Sequence, residues 1–460
     1  MIYECLTAWK LRNSSMARST KIILHTSCVN YTLEDLKNMF SMEFDYLIPN
    51  DVFWELKLLA RSKTFGMKAD YILRHVQAVA KSPRWDLAQI YQKCAEPISY
   101  IEIHRGALIF LFGDLNKTDE FLAGSVYGEH IYVLLSPPSW GYVKGTPVIM
   151  ELNVAKKYRL RSPRPLKPGR PVDKLTCVPA VYLNGRKNCA IAGDALISTG
   201  KCGSNAFIYT CDLLPGMYIK GYKNQAVIET QKEKLQLLQK FGARASDLNA
   251  AFPVDLLYDC PSSIVGYSMK PISGRLLREY LVTGWEGHDL GRIFEHLLLN
   301  LLELHTMHIL VNDLSFNNVL IDHEDRVGLV DCDSFQITSY PGGGITRMYQ
   351  HPEISEHGFS SELREPRHEY FALAVILFQC LFGDEPLRQV QAVDDDRELN
   401  WKNAAFPLDT DTAVSAANRA IQDLWFQQPR ILRKTFVDEF CFRQDISIGA
   451  WIRNLGILNE

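Results

Sequence analysis

The segment Asn312-Asp313-Leu314-Ser315-Phe316-Asn317-Asn318-Val319-Leu320-Ile321, followed by Val330-Asp331-Cys332-Asp333, constrains this chain more than any other feature. An Asp is followed five positions later by an Asn (313 to 318) and an apolar, strand-like triplet. A second Asp stands thirteen positions beyond that Asn (318 to 331). This order suits phosphoryl-transfer chemistry. Asp313 would accept or orient the proton of an attacking hydroxyl, and Asn318 and Asp331 would hold Mg²⁺ ions bridging nucleotide phosphates. Mg²⁺ is a hard ion that prefers carboxylate and amide oxygens in tight geometry. Asp and Asn are also common turn residues, so the same letters fit a polar loop between a helix and a hairpin.

The sharpest break in the chain is Arg161-Ser-Pro-Arg-Pro-Leu-Lys-Pro-Gly-Arg-Pro171. Proline there blocks helix and central strand alike, which predicts an extended linker over 161–175. Before it, short apolar runs alternate with helical patterns. Strands are predicted at Lys21–Ser27, Asp45–Pro49, Ile98–Ile103, Ile131–Leu135 and Pro147–Met150. Helices are predicted at Leu33–Phe40, from an Asp51 cap to Arg61, and at Glu120–Tyr127. Such alternation predicts a small parallel α/β domain over 21–160, after an N-terminal extension of residues 1–20. Beyond the linker, strands and turns run from about Val178 to Met269 with one helix near Gln225–Phe241, and mostly helix follows. The expected division is a sheet-rich lobe at 176–272 and a helical lobe at 273–460.

At 460 residues the chain has room for two or three cores. The 50 basic and 53 acidic residues leave a net charge of −3, which gives no global drive toward nucleic acid or membranes. The 11 cysteines form no C-x-x-C pair or His/Cys cluster, which points to reduced thiols and away from zinc. No apolar run approaches the ~20 residues that span a bilayer, and Met1–Ser19 lacks a signal-peptide core. A cytoplasmic protein without membrane contact is therefore expected.

From Val178 to Leu455 the sequence resembles protein kinases, and more narrowly the YegI-like group of bacterial eukaryotic-like kinases. The resemblance is carried by Asn312–Ile321, Leu329-Val-Asp-Cys-Asp-Ser-Phe-Gln336 and His368-Glu-Tyr-Phe-Ala-Leu-Ala-Val-Ile-Leu-Phe-Gln379, with Gly266–Gly274 similar to the hinge. It implies an α+β bilobal fold that binds ATP with Mg²⁺ or Mn²⁺. It also implies transfer of the γ-phosphoryl group to a Ser/Thr hydroxyl of a protein substrate, the chain itself included. Gly200 and Gly203 would form the phosphate loop, with Ala206 in place of its third glycine; a hairpin turn is the plainer alternative. Lys220 would pair the phosphates and be held by Glu233, with Glu229 as the alternative partner. Met269 would line the nucleotide site. Asp333 would add a carboxylate near the metals, or serve as a turn cap. Several positions depart from the kinase pattern. Ser315 replaces the usual catalytic-loop Lys, Val311 the usual His, and Asp331-Cys332-Asp333 the usual Asp-Phe-Gly. Glu369 stands where an Asp usually braces the loop. Glu353 would anchor the following segment, with Arg443 as a candidate partner. Thr338, Ser339, Tyr340 and Thr346 lie in that segment. A nucleotide-binding pseudokinase that regulates the N-terminal half is the alternative reading.

That half resembles a PIN-type nuclease domain. The resemblance rests on Lys21–Ser27, Leu47–Ala60, Lys117–Leu122 and Pro147–Lys156. PIN domains cluster carboxylates that hold Mg²⁺ or Mn²⁺ and activate water for phosphodiester cleavage. Glu55 and Asp119 match two of the acids. His25 stands where the first belongs, and Glu151 and Asn153 lie near the fourth. Imidazole is a poorer Mg²⁺ ligand than carboxylate, so a degenerate PIN domain is expected. RNA is then a candidate partner, through the basic strip from Lys156 to Arg170, which also reads as a solvated linker.

Overall fold

A computed structural model describes residues 21–24, 26–41, 45–48, 50–80, 108–112, 131–135, 148–151, 174–186, 189–202, 206–223, 225–245, 248–260, 263–337, 340–344, 346–354, 363–386, 416–441 and 445–458. Contacts divide the chain into two units. One comprises Met1–Arg161, Phe294–Ile309 and Glu365–Glu460; the other comprises Ser162–Ile293 and Leu310–Arg364. The boundaries differ from a simple division at the proline-rich segment, which itself lies outside the described residues.

The first unit begins with β1 (Lys21–Leu24), α1 (Leu33–Phe40), β2 (Asp45–Leu47), α2 (Asn50–Leu59) and α3 (Gly66–Ala80). It continues with β3 (Leu108–Phe112), β4 (Ile131–Leu135) and β5 (Val148–Glu151). These strands form one sheet in the order β2-β1-β3-β4-β5. β1 runs parallel to β2 and β3, β3 runs parallel to β4, and only β5 is antiparallel. The runs Leu-Ile-Phe-Leu-Phe and Ile-Tyr-Val-Leu-Leu are continuously apolar without alternation, the sequence pattern of parallel-sheet strands. Thr32 starts α1 by accepting the Asp35 N–H at 3.0 Å, and Leu36 and Met39 are its buried residues.

In the second unit, β6 (Ala180–Leu183), β7 (Ala190–Ala192), β8 (Ile197–Cys202), β9 (Ala206–Thr210), β10 (Tyr218–Tyr222), β11 (Pro253–Cys260) and β12 (Ser263–Met269) form a seven-stranded sheet. Its order is β7-β6-β11-β12-β10-β9-β8, with antiparallel pairing throughout. Two residue sets pack against the sheet, and register shifts between β11 and β12 interrupt strict alternation. Val181, Ile191, Tyr209, Ile219, Leu257 and Val265 pack with Leu175. Tyr222, Leu256, Tyr258, Ile264 and Tyr267 pack with Leu235 of α4 (Gln225–Arg244). A smaller three-stranded sheet joins β13 (Arg275–Leu276), β14 (Val319–Ile321) and β15 (Val327–Leu329), with α5 (Leu277–Thr283) following β13.

Among its other described residues the first unit has most of α6 (Leu290–Thr306), then α7 (Pro366–Phe382), α8 (Ala416–Gln427), α9 (Arg430–Phe440) and α10 (Ile448–Leu455). α7 is apolar around most of its circumference and almost wholly buried, as a central helix must be. Its Phe378 packs on Trp425 and Phe436, and Phe436 in turn on Phe440 and Trp451. α10 lies against α2 closely enough that a Cβ on Gly449 would stand 2.2 Å from the Asp51 carbonyl oxygen. Ser447 caps α10 through the Ala450 N–H and donates its own hydroxyl to Asp51 at 2.6 Å. Asp51 thus lies in the first turn of α2 and caps no helix end of its own; its carboxylate serves α10. No helix among the described residues is long and apolar enough to cross a membrane.

Candidate functional site

The antiparallel register of β10 and β12 sets Lys220 opposite Tyr267. Tyr222 lies two residues beyond Lys220, so all three side chains emerge from one sheet face. Gly221 and Gly266 face each other beside this pair, and a Cβ on Gly221 would stand 2.6 Å from the Leu175 side chain packed on the opposite face. A Cβ on Gly266 would come within 2.2 Å of the Lys220 carbonyl oxygen, so this close approach requires glycine. Lys220 is buried and therefore needs a counter-charge.

Two carboxylates supply it. The β14–β15 hairpin is followed by Val330 and then Asp331, whose backbone is left-handed at φ 63°, a region where Asp is better tolerated than most residues. Asp331 opens a short turn closed by Ser334 N–H to the Asp331 carbonyl at 2.9 Å and Phe335 N–H to the Cys332 carbonyl at 3.1 Å. That turn presents Asp331 and Asp333 together to the Lys220 ammonium, which donates to both. Asp333 also accepts the Tyr222 and Tyr267 hydroxyls, each at 2.9 Å. Its main-chain carbonyl accepts the buried Lys234 ammonium of α4 at 2.7 Å.

The electrostatics follow from this enclosure. Burial alone would lower the Lys220 pKa, but the Asp333 and Asp331 charges outweigh it and keep the ammonium protonated well above the usual range. For Asp333, burial favours the neutral acid, yet Lys220 and the two phenols hold the carboxyl below its ordinary value. Burial first, and the Asp333 charge second, push Asp331 up; Asp313 adds to this, which places all three acids in one electrostatic neighbourhood. Lys234 has no carboxylate of its own, and burial lowers its pKa to about 7.

Asp313 and Asn318 are linked side by side. Asn318 donates its amide to the Asp313 carboxylate and to the Asp313 carbonyl, both at 2.9 Å. The amide oxygen of Asn318 is thereby left as its ligating atom. The second Asp313 oxygen accepts the Thr346 N–H at 2.7 Å. Thr346 is delivered by Pro341-Gly-Gly-Gly-Ile-Thr346, where Asn312 donates to the Gly344 carbonyl at 2.9 Å. A Cβ on Gly342 would collide with the Asn312 side chain at 2.2 Å. Further along, the Gln336 side chain clamps Arg364 by donating to its carbonyl at 2.8 Å and accepting its N–H at 2.7 Å. Phe335 packs edge-on against Phe252, which packs on Phe241 of α4. The oxygens of Asn318 and Asp331 form a hard donor pair whose chemistry fits Mg²⁺ or Mn²⁺.

Lys220, Asp331, Asp333, Asp313 and Asn318 therefore share one unit and one neighbourhood. Glu233 does not join them. It is exposed and accepts the Tyr340 hydroxyl at 2.5 Å, while Lys220 takes its partners from the Asp331–Asp333 turn. Adjacent helix positions are rotated by about 100°, so Glu233 and Lys234 cannot both face inward. Lys234 shares the buried face with Leu238 and Phe241, and Glu233 is turned out. Gly200 lies in β8 at φ 76° and is exposed; Gly203 lies outside the described residues. Met269 ends β12 opposite Tyr218.

In the first unit, Glu55 is buried and accepts the Thr26 hydroxyl. Glu151 ends β5, where only the backbone is described, and His25, Asp119 and Asn153 lie outside the described residues, as do Thr338, Ser339 and Arg443. Glu369 pairs with His305 at 2.7 Å in the interior of the first unit. Tyr222, Tyr267 and Lys234 were not anticipated, although the i, i+2 alternation of Lys220 and Tyr222 already places those two side by side.

No protein-family model matches the chain, and no curated protein matches it.

Proposed function

We propose that the chain is an ATP-dependent phosphotransferase of the Ser/Thr protein kinase type, acting on a protein hydroxyl of its own or of a partner. The observation that carries this reading is the convergence of Lys220, Asp331, Asn318 and Asp313 within one unit. Asn318 and Asp331 would hold Mg²⁺ or Mn²⁺, which supplies positive charge to the nucleotide phosphates when bound. Lys220 has a fixed ammonium to set against phosphate oxygens. Asp313 has one oxygen on the Thr346 N–H and the other on the Asn318 amide, which fixes the carboxylate that would orient and accept a hydroxyl proton.

A nucleotide-binding pseudokinase is the second reading. It is supported by Ser315, a buried hydroxyl at the position where the kinase pattern has a cation, so one source of transition-state charge is lacking. Both readings require ATP. Calorimetric titration of ATP with and without Mg²⁺ tests that shared premise, with wild type beside Asp331→Ala. Wild-type affinity is expected to rise with Mg²⁺ and the Asp331→Ala affinity to stay flat. Absence of ATP binding in both conditions would overturn the reading.

A further inference from the structure

We propose that Asp333 is the anionic socket of Lys220, a positioning residue for nucleotide phosphates and not a metal ligand. The inference rests on the nucleotide-site reading above and deepens it. A carboxylate offers about four lone-pair directions. Asp333 uses three of them on Lys220, Tyr267 and Tyr222, and its side chain is only 10% exposed. Its neighbour Asp331 meets the same ammonium but keeps 41% of its side chain exposed. A Mg²⁺ ion retains several waters and needs an open approach to its ligands. Asp331 offers that approach and Asp333 does not.

The arrangement also explains how Lys220 keeps a counter-charge in use. The inward-facing residue of α4 here is Lys234, so that helix delivers a second lysine where a carboxylate would otherwise hold Lys220. Exposed Glu233 is engaged by Tyr340. The anion must then come from the Asp331–Asp333 turn, and that turn carries two acids with separate duties. When Asp331 turns to a cation, Asp333 retains the Lys220 ammonium. Lys234 pins the backbone of the socket through the Asp333 carbonyl, and the two phenols pin its carboxylate.

The test is a double-mutant cycle read by ATP titration in excess chelator and by the Mg²⁺ concentration that half-saturates binding. Asp333→Asn is expected to weaken chelator-phase ATP binding about tenfold, the size of one lost charge-assisted contact, and to leave the Mg²⁺ midpoint unmoved. In a Lys220→Met background, Asp333→Asn is expected to have no further effect, because its influence passes through that lysine. Asp331→Ala should do the converse: chelator-phase binding is kept and the rise of affinity with Mg²⁺ is lost. The paired substitution Tyr222→Phe with Tyr267→Phe keeps both acids and removes two donors. It covers the case in which Asp333→Asn does not fold, and is expected to weaken chelator-phase binding without moving the midpoint. A raised Mg²⁺ midpoint in Asp333→Asn or in the phenylalanine pair would overturn the proposal, as would additivity with Lys220→Met. Wild-type protein that binds no ATP under either condition overturns the site reading itself, and this inference with it.

Discussion

Lys234 shows at the scale of one residue how much the buried cluster asks of its neighbours. Its ammonium sits on the inward face of α4 and donates to the Asp333 carbonyl, and burial lowers its pKa from 10.5 to about 7. Between those values the unfolded chain carries a proton that the folded chain has released. Stability therefore rises with pH through that window, by the sign of the proton difference. The unfolding free energy of wild type minus that of Lys234→Met, from denaturant curves, is expected to increase from pH 7 to pH 10. A flat difference would mean that the buried amine stays charged. The same residue marks a limit of reading the sequence. Glu233 and Lys234 are adjacent letters, and the choice between them depends on helix rotation, which Leu235, Leu238 and Phe241 decide only once their packing partners are known. Lys220 and Tyr222, by contrast, follow directly from strand alternation.

Among the elements, several are legible in the sequence because local chemistry fixes them. Thr32 and Asp35 define the start of α1, and the apolar run Ile131–Leu135 is β4. The pairing of β10 with β12 is less visible, because Gly221 and Gly266 read as weak strand residues until they are seen facing each other. Gly266→Ala would drive a Cβ into the Lys220 carbonyl, and backbone cannot yield as a side-chain tip can. The substitution is expected to cost about 1–3 kcal/mol of stability, as overpacking does, and to weaken ATP binding by displacing Lys220. Thermal unfolding and nucleotide titration of the variant check both effects; unchanged stability would mean that the strands separate freely. Asp333 is legible in the sequence as a second acid two positions after Asp331, whereas its enclosure by two tyrosines depends on register between residues forty-five positions apart (222 to 267) and is not.

On the scale of the whole molecule, the proline-rich segment invites a division at residue 161, yet the C-terminal helices share a unit with the N-terminal sheet. No local pattern announces that. The pairing of Asp51 with Ser447 links positions almost four hundred residues apart, and the Asn30 side chain donates to the Thr306 carbonyl at 2.7 Å. Asp51→Ala is expected to cost about 1.5–3 kcal/mol, the range for a hydrogen bond to a charged group. Hydrogen exchange should then quicken in both α2 and α10 while the amides of β10 keep their protection. Exchange that quickens in α2 alone would contradict the grouping of these helices. The account as a whole depends on the second unit transferring phosphate. Incubation with γ-labelled ATP and Mg²⁺ or Mn²⁺, wild type beside Asp313→Asn, tests that most directly, with labelled sites located by mass spectrometry. Label on hydroxyl side chains in the wild type, reduced about 10²–10⁴-fold in the variant, is the expected result for loss of a positioned base. ATP binding without label in either protein would contradict it and leave nucleotide binding alone as the activity of the site.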